Sequence, residues 1–262
     1  MLPESLIIET TNYCNAQCLT CTNRFMKRPK EFIDLGLFEY IISKIKGTSI
    51  LNLNLQMHGE AFMHPKIYKI IEIIRKECSE KKILLISNGE LIEEFPDCDH
   101  IDISFNAGAK ETYEKLMYPL KFEKMIEKIK SFEKFKDKIT IHFVVSKDNE
   151  AEIPEFEKLW EGWIKGYNYF YNTWNQNIED RGTKQDYKMI PCDMLYKVVT
   201  IQVNGNIGLC CNDYEGVNIL GNIKTNSIED IFTNKMEEYR KAQEQGQRIG
   251  LCKTCNYNYE RI

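Results

Sequence analysis

Short β-branched runs and segments of helical period alternate along the first two thirds of the chain. The runs occupy residues 6–9, 50–55, 83–86, 101–105, 139–145 and 167–171. Each ends in polar or glycine residues. Residues 34–46 open on Asp34, a residue type whose side chain caps helices by accepting a first-turn amide. Residues 66–78 follow Pro65, whose fixed φ suits the start of a helix. Residues 121–136 place Phe122, Met125, Ile126, Ile129 and Phe132 on one face, and residues 152–160 form a last helix. Strands alternating with helices imply a mostly parallel sheet with right-handed crossovers.

Distinctive polar residues stand just beyond the strands. Cys14, Cys18 and Cys21 follow the first, and His58, Gly59 and Glu60 the second. Ser87 and Asn88 follow the third, Ser104 and Asn106 close the fourth, Ser146 the fifth, and Asn172 and Asn175 the sixth. Parallel α/β folds build their sites at the carboxyl ends of strands. Contributions from all six favour a ring around one site, so the expected fold is α/β, a partial (β/α)6 TIM-like barrel. After residue 176 the pattern changes. A polar connection leads to a hairpin turning at Asn204-Gly205, a charged helix over 227–245 and a closing Cys-x-x-Cys. We expect a barrel over residues 1–178 and a small metal-stapled unit over 179–262.

Lys and Arg total 35 against 39 Asp and Glu, a net charge of −4. Without a basic excess, neither a nucleic acid nor an anionic membrane is an expected partner. The N-terminal MLPESLIIETTNYC lacks the basic region of a secretory signal. No apolar run approaches the roughly 18 residues of a membrane span. The expected location is therefore cytoplasmic, where clustered cysteines more often bind metal or do chemistry than form bridges.

Cys14, Cys18 and Cys21 offer three thiolates, whereas a structural zinc or a 4Fe–4S cluster normally takes four protein ligands. Three leave either a cluster with one open iron or a zinc completed by His58 or His64. The segment TNYCNAQCLTC resembles the cluster loop of the radical S-adenosylmethionine (SAM) superfamily. HGEAFMHP, SNG, IDISFNAGAKETYEKL and VVSKDNEAEIPEF resemble its later strands and turns, so the likeness covers most of residues 5–160. Thr20 departs from it, standing where many members carry an aromatic residue. The resemblance implies an open iron that binds the methionine part of SAM. Reductive cleavage then yields a deoxyadenosyl radical that takes hydrogen from a substrate, with flavodoxin or ferredoxin as electron donor. It assigns the Gly59–Glu60 backbone to the SAM ammonium, Ser104 and Asn106 to the ribose, Ser87 or Asn88 to the methionine end, and adds Ser146 to the SAM-binding set.

Cys192, Cys210, Cys252 and Cys255 resemble the start of the SPASM pattern. No cysteine follows Cys255, so the likeness is to the shortened twitch form, with one auxiliary 4Fe–4S cluster on four protein ligands; a four-cysteine zinc site is the alternative. Cys78 and Cys98 read as plain thiols, and His100 and His142 as structural. The aromatic run over 160–174 reads as packing or a substrate wall, and Arg181 or Arg248 as contacts for an anionic substrate. The compact layout resembles short superfamily members such as aminocyclitol dehydrogenases. That implies oxidation of a small polar molecule (a sugar, aminocyclitol or nucleotide-sugar), an auxiliary cluster accepting an electron and Asp213 accepting a proton. Three alternatives stand beside it. They are an epimerase with Cys211 as hydrogen donor, a maturase of ribosomal peptides and a zinc-stapled binding module. A first strand near residue 5 leaves no expected leader-binding domain before it, which lowers the maturase reading.

Overall fold

The computed structural model describes residues 1–170, 179, 181–182, 187–255, 257 and 259–261, with 187–189 and 259–261 described by backbone alone. Asn172 and Asn175 lie outside these residues. The elements run β1 (Ser5–Ile8), α1 (Leu35–Ile45), β2 (Asn52–Asn54), α2 (Ile67–Glu77), β3 (Lys82–Ser87), β4 (His100–Ser104), α3 (Lys110–Leu116), α4 (Phe122–Lys130), β5 (Ile139–Val145), α5 (Ile153–Leu159) and β6 (Ile164–Tyr169). Strands β1 to β6 pair in parallel, in chain order, as the alternation requires. Asp34 caps α1 by accepting the Leu37 amide at 3.1 Å. Glu152 reaches from the β5–α5 connection to the start of α3, where its carboxylate accepts the Gly108 and Ala109 amides.

The later elements are β7 (Tyr187–Met189), α6 (Met194–Lys197), β8 (Val198–Ile201), β9 (Asn206–Gly208), β10 (Ile219–Asn222), α7 (Ile228–Asp230), α8 (Glu237–Glu244) and β11 (Tyr259–Arg261). The hairpin turns with Gly205 at φ 84°, a conformation glycine adopts without strain. It does not stand alone. β8 lies parallel to β1, and β9 and β10 extend the same sheet to nine strands, while β7 and β11 form a separate pair. The helix expected over 227–245 is interrupted by a π-helical turn, Ile231–Lys235. There the Arg240 guanidinium takes the Phe232 and Thr233 carbonyls, and the Met236 amide bonds back to Ile231 instead.

Period-two alternation divides the barrel sheet into two faces. Leu6, Leu53, Ile83, Ile101 and Ile141 have no exposed surface and pack beneath the helices. Each such side chain contributes about 1.5–3 kcal/mol by leaving water. The register pairs Ser5 with Asn52, Asn54 with Leu84, Ile86 with Asp102 and Ser104 with His142, so these residues share the opposite, lumen face. That face is largely polar and only partly buried. Among the described residues no helix is long and apolar enough to cross a membrane.

Candidate active site

The segment after β1 carries Cys14, Cys18 and Cys21 and is fixed by groups outside it. Gln17 and Leu19 donate their amides to the Tyr118 carbonyl just past α3 and the Leu116 carbonyl at its end, at 2.7 and 2.9 Å. Asn23 donates its side-chain amide to the Asn12 and His58 carbonyls, and Lys30 donates to the Asn12 carbonyl and to Asn23 Oδ1. Asn12 in turn accepts the Glu31 amide and donates to the Pro29 carbonyl. These three polar side chains hold the loop, and sequence reasoning passed over them. The signal was present, since polar residues without helical or strand period crowd a cysteine-rich loop.

The cysteine side chains are drawn inward. Burial pushes the Cys14 thiol up to about 12, with Glu60 and Cys21 adding to the rise. Burial, then the neighbouring Cys21 and Cys14, also lifts Cys18. The Ala16 and Asn23 amides point at Cys14 Sγ and Cys21 Sγ, each at 3.4 Å. A metal at such a site deprotonates the thiols and reverses the burial cost. His64 cannot complete it as a zinc ligand. Its Nε2 lies 3.1 Å from the Ile33 carbonyl and its Nδ1 accepts the Lys66 amide.

Gly59 sits directly on this loop. A Cβ there would stand 2.3 Å from the Thr11 carbonyl oxygen and 2.6 Å from that of Tyr13, so only glycine fits. The Glu60 amide donates to the Tyr13 carbonyl at 2.8 Å, and its carboxylate accepts the Ser87 hydroxyl at 2.7 Å and the Asn88 amide at 2.8 Å. Burial raises the Glu60 carboxyl while these donors oppose the rise. Ser87 and Asn88 thus brace the turn, Asn88 also donating to Asn15 Oδ1. Asn106 ties β4 to β5 by accepting the Val144 amide and donating to Met117 Sδ. Ser146, fully buried, bonds through its amide and hydroxyl to Asn149 Oδ1. Ser104, paired in register with His142, faces the lumen.

The second cysteine set also assembles. Burial pushes Cys192 and Cys252 each up to about 12, and both feel Cys210 and Cys255. The Asn212 amide donates to Cys210 Sγ at 3.3 Å, and the buried Gln243 accepts the Cys192 amide at 2.6 Å. Among the described residues no three His, Cys, Asp or Glu side chains are gathered closely enough for a single metal ion. Each iron of a four-iron cluster takes one thiolate, so the thiols of such a site need not converge on a single ion. The donor chemistry of both sets fits iron–sulfur clusters: three thiols in one, four in the other.

A cavity of about 540 Å³ runs along the lumen. Thr20, Cys21 and Thr22 of the cluster loop bound one side, and Cys211 and Asn212 bound another. His58 also lines it; burial, with Arg28 and Lys30, pushes its imidazole down to about 3. Asp213 does not line the cavity. It is fully buried, and its two oxygens accept the Val217 and Asn218 amides at 2.9 and 2.7 Å. That engagement leaves it a turn-stabilising role in place of the expected contact with substrate. Cys78 and Cys98 are buried. Arg181 pairs with Asp148 at 2.6 Å, and Arg248 donates to the Cys255 and Tyr257 carbonyls. Trp160 is buried against Phe105 as packing. His100 and His142, by contrast, face the lumen, as the alternation in HIDIS and TIHFV could have shown.

Comparison with known proteins places these observations in a family. Residues 8–159 match the radical SAM superfamily, and residues 192–256 match an iron–sulfur cluster-binding SPASM domain. The S-adenosyl-L-methionine-dependent 2-deoxy-scyllo-inosamine dehydrogenase of Niallia circulans is 20% identical over 95% of this chain and 91% of its own. The crystal structure of BtrN in complex with AdoMet and 2-DOIA superposes with a TM-score of 0.66 and 16% identity, covering 98% of this chain and 94% of that one. Streptococcus suis SuiB bound to its precursor peptide SuiA gives a TM-score of 0.75 at 16% identity, covering 97% of this chain and 71% of that one.

Proposed function

The chain belongs to the radical SAM superfamily and carries a C-terminal SPASM-type iron–sulfur domain, and from that premise we propose that it is an oxidoreductase acting on a small polar molecule. The substrate class is a sugar, an aminocyclitol or a nucleotide-linked sugar. When bound, the clusters and SAM supply the one-electron chemistry that removes hydrogen from an unactivated C–H bond. We assign Cys14, Cys18 and Cys21 to the cluster with the open iron, and Cys192, Cys210, Cys252 and Cys255 to the auxiliary cluster. Gly59 holds its backbone against the cluster loop, leaving its carbonyl to meet the SAM ammonium. Glu60, braced by Ser87 and Asn88, fixes that turn. Asn106 and Ser146 set the β4 and β5 ends, and Ser104 presents a hydroxyl to the lumen. The work of these residues is to orient and to exclude water. We place the enzyme in the cytoplasm, drawing electrons from a flavodoxin or ferredoxin.

The observation that carries the reading is the lumen cavity bounded by the cluster loop on one side and by Cys211 on another. The inosamine dehydrogenase, matched over nearly its whole length, supports a small-molecule substrate. The test is deoxyadenosine release by the anaerobically reconstituted, reduced enzyme across candidate polyols. A substrate-dependent rise supports the proposal; release stimulated only by peptides favours the maturase that the SuiB likeness suggests.

A second reading has its own observation. Cys211 lines the cavity and Asp213 does not, which favours an epimerase whose Cys211 would return a hydrogen atom to the substrate radical, the resulting thiyl being restored to the thiol by one electron from the flavodoxin or ferredoxin and one proton. Cys211→Ala spares oxidation and abolishes epimerisation, so the product formed by that variant separates the two.

A further inference from the structure

The charge of the lumen cavity narrows the substrate. Among the described residues that line it, none is Asp, Glu, Lys or Arg. Its polar lining consists of carboxamides, hydroxyls, the Cys211 thiol, the assigned cluster ligand Cys21 and His58, which burial keeps neutral. Asn54, Gln56 and Asn168 carry the carboxamides on the β2 and β6 sides. The Gln56 and Asn168 side chains have no hydrogen-bond partner among the described residues, and that of Asn54 makes a single bond, donating to the Leu6 carbonyl at 3.2 Å. A carboxamide donates and accepts at once, which matches a hydroxyl group that does the same. Ile86, Val144 and Phe170 add an apolar wall for the C–H face of a ring. The volume of about 540 Å³ lies within the range of small-molecule sites.

Among the described lining residues an anionic group finds no cation to answer it. Phosphate recognition relies on Arg or Lys forks and charge-assisted bonds. The two arginines that sequence reasoning offered are engaged elsewhere, Arg181 by Asp148 and Arg248 by backbone carbonyls. Burying an unpaired charge is costly. Of the residues assigned to SAM and its cluster, only Cys21 is among the described lining residues, so the cavity adjoins the cluster and extends away from Glu60, Ser87, Asn88, Ser104, Asn106 and Ser146.

We propose that the cavity takes a hydroxyl-rich ring bearing neither phosphate nor carboxylate, and rejects phosphate esters and nucleotide diphosphate conjugates. The inference rests on the lumen being the substrate site. It removes nucleotide-sugars from the classes named above and keeps free sugars and cyclitols.

The experiment uses reconstituted holoenzyme with SAM and matched probes: myo-inositol, glucose and N-acetylglucosamine, then inositol phosphate, glucose 6-phosphate, N-acetylglucosamine 6-phosphate and uridine diphosphate glucose. Thermal stabilisation and stimulation of deoxyadenosine release are read for each. The proposal expects a response from the unphosphorylated group and none from the phosphorylated one. In Gln56→Lys, which supplies the missing cation, affinity for the phosphorylated probes rises about tenfold or more, as a charge-assisted bond of about 1.5–3 kcal/mol allows. Phosphorylated probes binding as well as their parents overturn it. So does silence from the whole unphosphorylated group, or a Gln56→Lys variant that gains nothing. Deoxyadenosine release without any probe reports the radical SAM chemistry itself, so a failed selectivity does not masquerade as a failed enzyme.

Discussion

Replacing Arg28 by methionine tests how the cluster loop is locked to the C-terminal segment. Glu9, at the end of β1, has no exposed side-chain surface, and Arg28 retains only 12%. The guanidinium donates to Glu9 Oε2 at 2.8 Å and Oε1 at 2.5 Å, and its Nε donates to the Tyr214 carbonyl at 2.7 Å. Glu215 returns the contact by accepting the Lys27 and Arg28 amides. Methionine preserves the apolar stem but leaves the Glu9 carboxylate buried, with the Val203 amide at 3.3 Å still donating to it. Removing one partner of a buried pair costs about 3–5 kcal/mol. In a chain of this size each kcal/mol lowers the melting temperature by about 2–4 °C, so the expected loss is roughly 6–20 °C. The double variant Glu9→Leu with Arg28→Met removes both charges and recovers much of that loss, because an apolar pair replaces a buried ionic one at little cost. Calorimetric melting of wild type, single and double variants reads this directly. A single-variant loss under about 1 kcal/mol, or a double variant no better than the single, refutes the reasoning.

Gly59→Ala places a methyl against backbone oxygens at 2.3 and 2.6 Å that cannot move aside, so SAM affinity, measured by equilibrium dialysis, falls at least about tenfold. Replacing both Cys252 and Cys255 by alanine removes about four irons per chain while SAM cleavage in the absence of substrate persists, as iron assay and deoxyadenosine chromatography will show. Burial would raise the Asp148 carboxyl, but the hydrogen bond and charge of Arg181, with Lys115, outweigh it and hold the group below the usual carboxylate range. A depressed folded-state pKa stabilises above the unfolded value near 3.9 and loses that stabilisation as the pH falls through the folded value. Asp148→Asn therefore melts below wild type at pH 7, and the gap closes as the pH falls below about 4.

The alternation of apolar runs made the parallel order of β1 to β6 legible, because one buried face per strand leaves a period of two and one buried stripe per helix a period near 3.6. The joining of β8 to β1 was not legible, since strand pairing between residues nearly two hundred positions apart leaves no local mark. Cysteine spacing announced both thiol sets. It was silent on Asn12, Asn23 and Lys30, whose roles depend on where the loop carries their side chains. Asp213 misled for the same reason. Its nearness to Cys210 in sequence said nothing of the turn at Val217 and Asn218 that claims its oxygens. Ser87, Asn88 and Asn106 occupy their expected strand ends, yet their hydrogen bonds run to protein partners that only the fold brings near.

The central claim is that three thiols hold a cluster whose fourth iron is left to SAM. Electron–nuclear double resonance on the reduced enzyme, with SAM labelled by nitrogen-15 at its amino group, addresses that iron without any substrate. In the variant lacking Cys252 and Cys255, which isolates the first cluster, we expect a strong nitrogen-15 coupling to a four-iron centre. A centre with no such coupling, or thiols that take up zinc in place of iron, would contradict the account.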